Sequence, residues 1–447
     1  MRLAAFGRLA DRMALPVAIL LIAFGGWMLV RKFMGAPGWP NEGTDISVYL
    51  NAARALASGG DMYDKINYPA DPYGYPPLFA EMIAALRVVL GDGKLWLLWS
   101  AFGAGCLFAS LAIMMRGFGV KLAWKWVALA FGALVAGHLA RSDLYHVQPH
   151  FILLLLIVLG VRAFLSSKFL TGGLAWAAVF VCKPFTGVIV FTLIRRGEWR
   201  ASIITLVTAG TLFAGSFLAF LPNIVAGVQG WMKASSYHTS LPNVAKSANE
   251  SFYGLFQRLF GEPSEFATPW AHIPALVPIL TAPFLIITIA GIFIGSSNKA
   301  QWQAISDAER GPQGLLQTAT ALGLSMCCGP LMEGPHCFML LPGLAGSAML
   351  AARRWNENSP MKWRWIAAAT AWALTFSWFV IPVSTPLTNP YSLGHMSGFT
   401  ILITVKTGLF VLASCLLSIA AQLGDRATQA GRPTFGSAAR GQKEAVS

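Results

Sequence analysis

Long apolar stretches alternate with short polar ones along the whole chain, and this pattern predicts a protein that crosses a membrane many times. The apolar stretches mostly approach the length of about 20 residues that a helix needs to cross a hydrocarbon core of about 30 Å. Because the backbone must satisfy its own hydrogen bonds in lipid, each stretch is expected to be a helix. We therefore predict an all-α polytopic membrane protein of roughly a dozen membrane helices.

The charges between the apolar stretches predict which side each loop faces, since Lys and Arg collect in cytoplasmic loops. The first stretch follows Arg2, Arg8 and Arg12, so we expect a retained first helix with its N-terminus inside. Arg31 and Lys32 then fall on the outer side and are the exception to the rule. The predicted spans lie near residues 15–30, 95–115, 126–140, 151–165, 203–221, 276–294, 315–331, 338–349, 366–382 and 400–420.

Two further apolar stretches do not read as simple spans. Residues 76–90 are too few to cross a membrane comfortably and include Glu81 and Arg87, so we expect an interfacial helix on the outer side. Residues 170–194 are interrupted by Lys183-Pro184, and both flanks are basic. Because proline breaks the hydrogen-bond ladder, two short helices that both have their flanks inside are favoured over one span.

The same pattern gives the domain organisation. We predict one transmembrane domain over residues 1–423, with a first outer loop at 35–93 that carries juxtamembrane helices. A second large outer loop covers residues 222–272. Residues 424–447 lack periodicity and are expected to form a disordered cytoplasmic tail.

Composition supports the membrane interpretation and narrows the function. Only 12% of the residues are charged, where about 25% is usual for soluble domains, and 55% are hydrophobic. The net charge of +14 is explained by basic inner loops, so we expect no nucleic-acid partner. The six cysteines have no zinc-ligand spacing, and no nucleotide-binding, serine-hydrolase or zinc-protease motif occurs in a suitable context.

The unusual polar residues converge on the predicted outer face. Ionisable groups at membrane depth are costly and commonly mark a functional site. Lys183 approaches this face from within the membrane, where a cation suits an anionic ligand such as a lipid phosphate. The other polar positions that the topology places at this face are Asp45, Asp143, His146, Gln148, residues 222–272, Glu333 and His336.

Some of these positions, and Tyr75 near them, also have a structural explanation. Asp45 opens a helical stretch, where an acid either stabilises the first turn or acts as a general base. Tyr75 belongs either to an aromatic belt at the membrane interface or to the wall of a sugar-binding groove. Glu333 and His336 either form a helix-end pair or supply a histidine that binds phosphate or exchanges a proton.

Several of these segments together resemble one family, the polyprenol-phosphate-dependent mannosyltransferases of glycosyltransferase family 87 in the GT-C superfamily. Order and spacing agree over about residues 40 to 345. The segments that carry the resemblance are Thr44 to Ala53, Gly60 to Tyr63, Tyr75 to Pro77, Gln148 before a Leu-rich helix, Lys183-Pro184, Arg195 to Arg200, Asn249 to Ser251, and Glu333 to His336.

The resemblance implies a fold and a reaction. It implies a GT-C-type fold of about 10–13 transmembrane helices and a first outer loop with interfacial helices. The donor would be a polyprenyl-phosphate-linked sugar, and mannose is the expected sugar. The acceptor would be a glycolipid or glycan at the outer face. Asp45 would be the general base of an inverting transfer, and Lys183 and His336 would bind the donor phosphate. The implied substrate-binding residues are Tyr75, Gln148, Asn249, Arg258 and Glu333.

The resemblance also implies that no metal or cofactor is needed, because the cations at the donor phosphate take that role. Membrane lipids are the expected surroundings, and a bacterial inner membrane is the expected location. The chain departs from the family pattern at Gln148-Pro149-His150 and at the single His336, which follows Glu333-Gly-Pro. These departures leave a pentose or another hexose open as the sugar.

Two other classes of function remain open from the residues. A membrane transporter or lipid flippase would also use a broken helix and Lys183, although no internal symmetry between halves is visible. A non-catalytic assembly subunit would tolerate Asp45→Asn, whereas a catalytic Asp45 would not.

Overall fold

The computed structural model describes residues 2–34, 45–64, 72–118, 122–245, 249–264, 269–329, 332–376 and 406–430. Within these ranges the regular structure is helical and contains no β-strand, which confirms the predicted all-α class. The predicted loop residues 35–44, the end of the predicted span at 366–382 and the start of that at 400–420 lie outside the described residues.

The helices are numbered here in chain order. They are α1 (Arg2–Met34), α2 (Asp45–Ala57), α3 (Pro77–Leu90), α4 (Asp92–Gly117), α5 (Trp124–Ala136), α6 (His138–His146), α7 (His150–Leu165), α8 (Phe169–Cys182), α9 (Ile189–Arg195), α10 (Trp199–Ser216), α11 (Ile224–His238), α12 (Leu241–Val244), α13 (Phe252–Phe260), α14 (Leu276–Gly295), α15 (Lys299–Ala304), α16 (Asp307–Cys328), α17 (Leu341–Asn356), α18 (Lys362–Phe376) and α19 (Lys406–Ala430). Among the residues that the structure describes, 3₁₀ helices cover Pro184–Val188, Phe217–Phe220 and Gly334–Leu340.

Six helical stretches of the described chain are long and apolar enough to cross a membrane, and α5 with α6 makes a seventh if the bent pair is one span. The protein is therefore a polytopic membrane protein, as predicted. Part of the difference from the sequence count comes from apolar helices that are shorter than a bilayer, namely α7, α8 and the stretch Pro184–Arg195. Helix α16, over the predicted span 315–331, is long enough with 22 residues but is not among the six. The six long stretches are Leu9–Met34, Lys94–Gly117, Trp199–Phe220, Leu276–Gly295, Gly334–Asn356 and Thr407–Thr428.

Residues 141–146, which lie between the predicted spans 126–140 and 151–165 and were expected to form a loop, are helical. Helix α5 ends at Ala136, Gly137 is extended, and α6 leaves at 74°. Helix α6 is polar overall but buries one face, which includes Leu139, Asp143 and Leu144. The sequence of α6 resembles that of a polar loop because even its buried face contains an acid, Asp143.

The apolar run with Lys183-Pro184 is broken as predicted. Helix α8 ends at Cys182, and a 3₁₀ turn from Pro184 leads into α9. Both outer flanks of this pair lie beside the same part of α16: Leu165, just before α8, approaches Gly314, and Arg196, just after α9, binds Gln317. The segment is therefore a helical hairpin with Lys183 at its tip.

The last helix is longer than expected. It continues to Ala430, so residues 424–430 are helix and not the start of a tail. The reason is Asp425, which is buried and accepts hydrogen bonds from Arg354 Nη2 at 2.8 Å and from Trp365 Nε1 at 3.0 Å. Residues 431–447 of the predicted tail lie outside the described residues.

The interfacial helices form a small unit at one end of the bundle. Helix α3 is a helix as predicted, and its 14 residues are too few to cross a bilayer. Asp92 at the start of α4 accepts hydrogen bonds from Arg54 of α2 at 2.6 Å and from Arg87 of α3. Burial raises the pKa of Asp92, but the two guanidinium groups outweigh this effect and hold the pKa below its ordinary value. This clamp fixes α2, and therefore Asp45, relative to the membrane helices.

Candidate active site

Five side chains from separate parts of the chain approach one another at the end of the bundle where α2 and α3 lie. Asp45 opens α2, and Tyr75 precedes α3. Gln148 lies in the short link between α6 and α7, Lys183 at the tip of the hairpin, and His336 in the 3₁₀ helix before α17. Lys183 is within electrostatic range of Asp45, Tyr75 and Glu333, so these elements form one site.

Asp45 is held by Gln148, which lies 103 residues further along the chain. The side-chain amide Nε2 of Gln148 donates a hydrogen bond to Oδ2 of Asp45. The link that carries Gln148 is set by Val147, which has left-handed backbone (φ 59°) and ends α6. The structure thus brings together two predicted site residues and fixes the orientation of the Asp45 carboxylate.

His336 is fixed by Glu333 in a reciprocal cap. The main-chain N–H of Glu333 donates to Nδ1 of His336 at 3.0 Å, and the Glu333 side chain accepts from the main-chain N–H of His336. The intervening Gly-Pro therefore does not separate the two side chains. Because Nδ1 accepts from a group that can only donate, the proton of the neutral imidazole is on Nε2. Glu333 thus sets the tautomer of His336.

Lys183 faces that proton. Its Nζ lies 3.1 Å from Nε2 of His336, so an ammonium and an imidazole N–H point toward the same space. Two converging donors are complementary to an anionic oxygen that accepts from both. The arrangement is chemically suited to a phosphate oxygen.

Tyr75 covers one side of Lys183. The Nζ atom lies 5.3 Å from the centroid of the Tyr75 ring, within the range of a cation–π contact. Tyr49 and Phe79 pack edge-on and tilted against this ring at 5.8 and 5.3 Å. Burial, with Tyr75 and Asp45 nearby, raises the pKa of Tyr49, so its phenol stays protonated. The site therefore has an aromatic wall beside its cation.

A buried acid–histidine pair supports the site, and the sequence analysis did not identify it. Nδ1 of His150 lies 2.6 Å from Oδ1 of Asp143, and both side chains are fully buried. The His150 ring packs edge-on against His336 at 4.8 Å between centroids. Within the described part of the chain, Oδ2 of Asp143 and Nε2 of His150 have no hydrogen-bond partner. The available signal was the placement of both polar residues beside apolar helices, but their pairing depends on the fold of α6.

Asn249 and Arg258 lie behind the site. Asn249 is fully buried, and its Oδ1 accepts the main-chain N–H of Met332 at 2.9 Å. Arg258 Nη1 donates to the main-chain oxygen of Asn249 at 2.9 Å. Burial lowers the pKa of Arg258 to about 10 against the opposing effect of Glu250, so the guanidinium remains charged. These contacts join the 222–272 loop to the segment that carries His336, whereas direct contact with a substrate stays a prediction.

The other end of the bundle carries a separate polar network. Arg196 donates to Oε1 of Gln317 at 2.9 Å and lies over the ring of Trp302. Arg354 binds Glu309 and Asp425 nearby. This network holds the helices at the end opposite Lys183. Within the described ranges, no three His, Cys, Asp or Glu side chains converge in a way that could hold a metal ion.

The chain is similar to a known family of glycosyltransferases. The model of glycosyltransferase family 87 matches residues 73–306, which is more than half of the 447-residue chain. The match includes Tyr75, Gln148 and Lys183, while Asp45 and His336 lie on either side of it. No curated protein and no solved structure matches the chain.

Proposed function

The chain belongs to glycosyltransferase family 87, and from this membership we propose that it transfers mannose from polyprenyl phosphate to a lipid-linked or glycan acceptor, with inversion, at the outer face of the membrane. Membership in a family of glycosyltransferases favours sugar transfer over transport or a scaffolding role.

The observation that carries the proposal is the pair of donors formed by Lys183 and His336, 3.1 Å apart. When the bond between the sugar and the phosphate breaks, negative charge grows on the phosphate oxygen that leaves. Preorganised donors aimed at such an oxygen lower the barrier, and removing one typically costs about 100- to 1000-fold in rate. Lys183 lies at the tip of the hairpin, and we infer that a lipid-linked phosphate reaches it from the bilayer.

Asp45 supplies the base. Its carboxylate takes the proton from the acceptor hydroxyl, and the oxygen attacks the anomeric carbon on the face opposite the phosphate. The C–O bond to the phosphate then breaks, and polyprenyl phosphate leaves with its electron pair. The hydrogen bond from Gln148 holds the carboxylate in a fixed direction while it acts.

Tyr75 gives the sugar a wall to pack against. Aromatic faces suit the C–H faces of sugar rings, and Tyr75 lies against Lys183. Tyr49 and Phe79 hold the ring in place from behind. A sugar whose phosphate binds Lys183 and His336 would therefore lie between Tyr75 and Asp45.

The test compares the wild-type protein with Asp45→Asn, both purified and reconstituted into liposomes. Polyprenyl-phosphate-[¹⁴C]mannose is the donor and a membrane glycolipid extract the acceptor. We expect transfer to fall by about 100-fold or more, because general-base catalysis contributes that much. Asp64→Asn is the matched control, since Asp64 is an exposed acid in the same outer segment.

Three results would contradict parts of the proposal. Equal transfer by wild type and Asp45→Asn removes Asp45 as the base. Transfer only from a pentose donor shows that the sugar is wrong while the mechanism stands. Transfer from a nucleotide-sugar and not from any polyprenyl phosphate overturns the donor class.

A further inference from the structure

A second basic site lies outside the pair Lys183 and His336. An open groove of about 450 Å³ lies where the last turn of α1 meets α6. Arg31 and Lys32 line it from α1, and His138 and Arg141 line it from α6. Arg31 and Lys32 are also the residues that break the charge rule for outer loops. The structure places both of them at this groove.

The cations of this groove lie against aromatic rings. Lys32 Nζ is 4.0 Å from the centroid of Tyr145, and Arg31 Cζ is 5.7 Å from that of Trp27. Arg141 lies over Phe24 at 5.8 Å. These contacts hold the side chains in place, but an aromatic ring carries no net charge and leaves the positive charge of the groove uncompensated.

Carboxylates balance clustered cations elsewhere in the protein. Asp92 binds both Arg54 and Arg87, and Asp425 binds Arg354. In the groove, by contrast, no ion pair joins Arg31, Lys32 or Arg141 to any carboxylate of the described residues. Lys32 and Arg141 also lie close enough to repel each other. An anion bound between them would remove this repulsion.

The surface that leads to the groove is apolar and exposed. Along α1, large side chains on the open side are about half or more exposed, as expected for a surface in contact with lipid. They are Ile19 (58%), Leu20 (69%), Phe24 (48%), Trp27 (56%) and Val30 (53%). A ligand with an acyl chain can therefore lie along α1 and place its phosphate in the groove, whereas free phosphate would use only the groove.

We propose that Arg31, Lys32 and Arg141 bind the phosphate of an anionic membrane lipid, as a site separate from the one that binds the sugar donor. Helix α6 joins the two sites, because Arg141 faces the groove and Asp143 binds His150 beside His336. The lipid would hold α1 against α6 and thereby support the site from the side that faces the bilayer.

The experiment measures lipid binding to the whole purified protein by native mass spectrometry, with phosphatidylglycerol and phosphatidylcholine as probes. We expect wild type to retain phosphatidylglycerol preferentially, and Arg31→Gln/Lys32→Gln to bind it on the order of twentyfold more weakly, since each surface cation contributes about fivefold. The control Lys94→Gln/Lys233→Gln removes two exposed cations and leaves the groove intact.

Each outcome decides the proposal. Equal weakening by both double variants shows general attraction to a basic surface and overturns the site. Displacement of the lipid by millimolar inorganic phosphate overturns the commitment to a lipid. If the double variant unfolds, Lys32→Gln alone is used, because that side chain is exposed. The experiment measures lipid binding and not sugar transfer. A negative result would therefore contradict the lipid site without bearing on the proposed function.

Discussion

His336 and Lys183 show how single residues define the site. Glu333 fixes the tautomer of His336, and the tautomer decides that a donor and not an acceptor faces Lys183. The ammonium of Lys183 and the imidazole N–H of His336 therefore repel each other unless an anion accepts hydrogen bonds from both. This repulsion supports the proposed phosphate-bearing donor over a neutral substrate.

Replacing Lys183 tests this relation. Lys183→Met keeps an unbranched apolar chain and removes the charge, so we expect sugar transfer to fall by about 100- to 1000-fold. Lys183→Arg should recover part of the rate because it keeps the charge. The measurement is kcat and KM for the polyprenyl-phosphate donor, with thermal unfolding as the control.

A structural role for Lys183 would give the opposite pattern. If the side chain only supported the hairpin, Lys183→Met would lower the unfolding temperature and leave kcat of the folded fraction unchanged. We expect instead an unchanged or higher unfolding temperature, since a buried cation beside another donor is removed.

The sequence alone could locate Asp45, Lys183 and His336, because a charged residue is conspicuous in an apolar chain. It could not find the pair Asp143 and His150. Their contact requires the bend at Gly137, which turns α6 across the end of α5, and a polar helix with one buried face looks like a loop in the sequence. The structural role of Asn249 was equally hidden, since its side-chain oxygen binds the main chain of the distant Met332. The cap formed by Glu333 and His336, by contrast, matches the helix-end pair that was one of the two predicted alternatives.

At the scale of elements, the break at Pro184 could be predicted, because proline has no N–H to donate and interrupts the hydrogen bonds of a helix. The close packing of α1 on α5 could not. A Cβ at Gly25 would lie 2.6 Å from the main-chain oxygen of Val135, so the two helices approach each other through this glycine. Small residues permit such approach between membrane helices.

Adjacent glycines give a matched test of this packing. Gly25→Ala should lower the free energy of unfolding by about 1–3 kcal/mol, because backbone atoms must move apart. Gly26→Ala should be neutral, since no atom of the described residues lies within 4 Å of the added Cβ. Thermal unfolding in detergent measures both, and equal effects would contradict the close approach.

At the scale of the whole molecule, the end opposite the site is held by charges that connect distant parts of the chain. Arg354 of α17 binds Glu309 of α16 and Asp425 of α19. Trp365 of α18 donates to the same Asp425. The carboxylate of Asp425 thus attaches the last helix to α17 and α18, and Arg354 connects it further to Glu309 of α16. These contacts explain why the chain stays helical beyond the expected boundary at 423.

Removing this carboxylate should loosen the bundle without altering the chemistry. We expect Asp425→Ala to lower the free energy of unfolding by about 1.5–3 kcal/mol, the usual contribution of hydrogen bonds to charged groups. Transfer activity at low temperature should remain, because the network lies far from Lys183. Asp307→Ala is the control, since its side chain is 93% exposed; an equal loss of stability in both variants would contradict the role of Asp425.

The short helices beside the site also determine how the protein fits its bilayer. Helix α8 has 14 residues and α5 has 13, so each is about 20 Å long, whereas the hydrocarbon core is about 30 Å thick. Lys183 at the tip of α8 would then lie about 10 Å below the lipid headgroups of an unperturbed leaflet. Thinning the bilayer at this flank would bring the headgroup plane down to the lysine. Such thinning would spare a charged lipid much of the descent into hydrocarbon that the short hairpin otherwise requires.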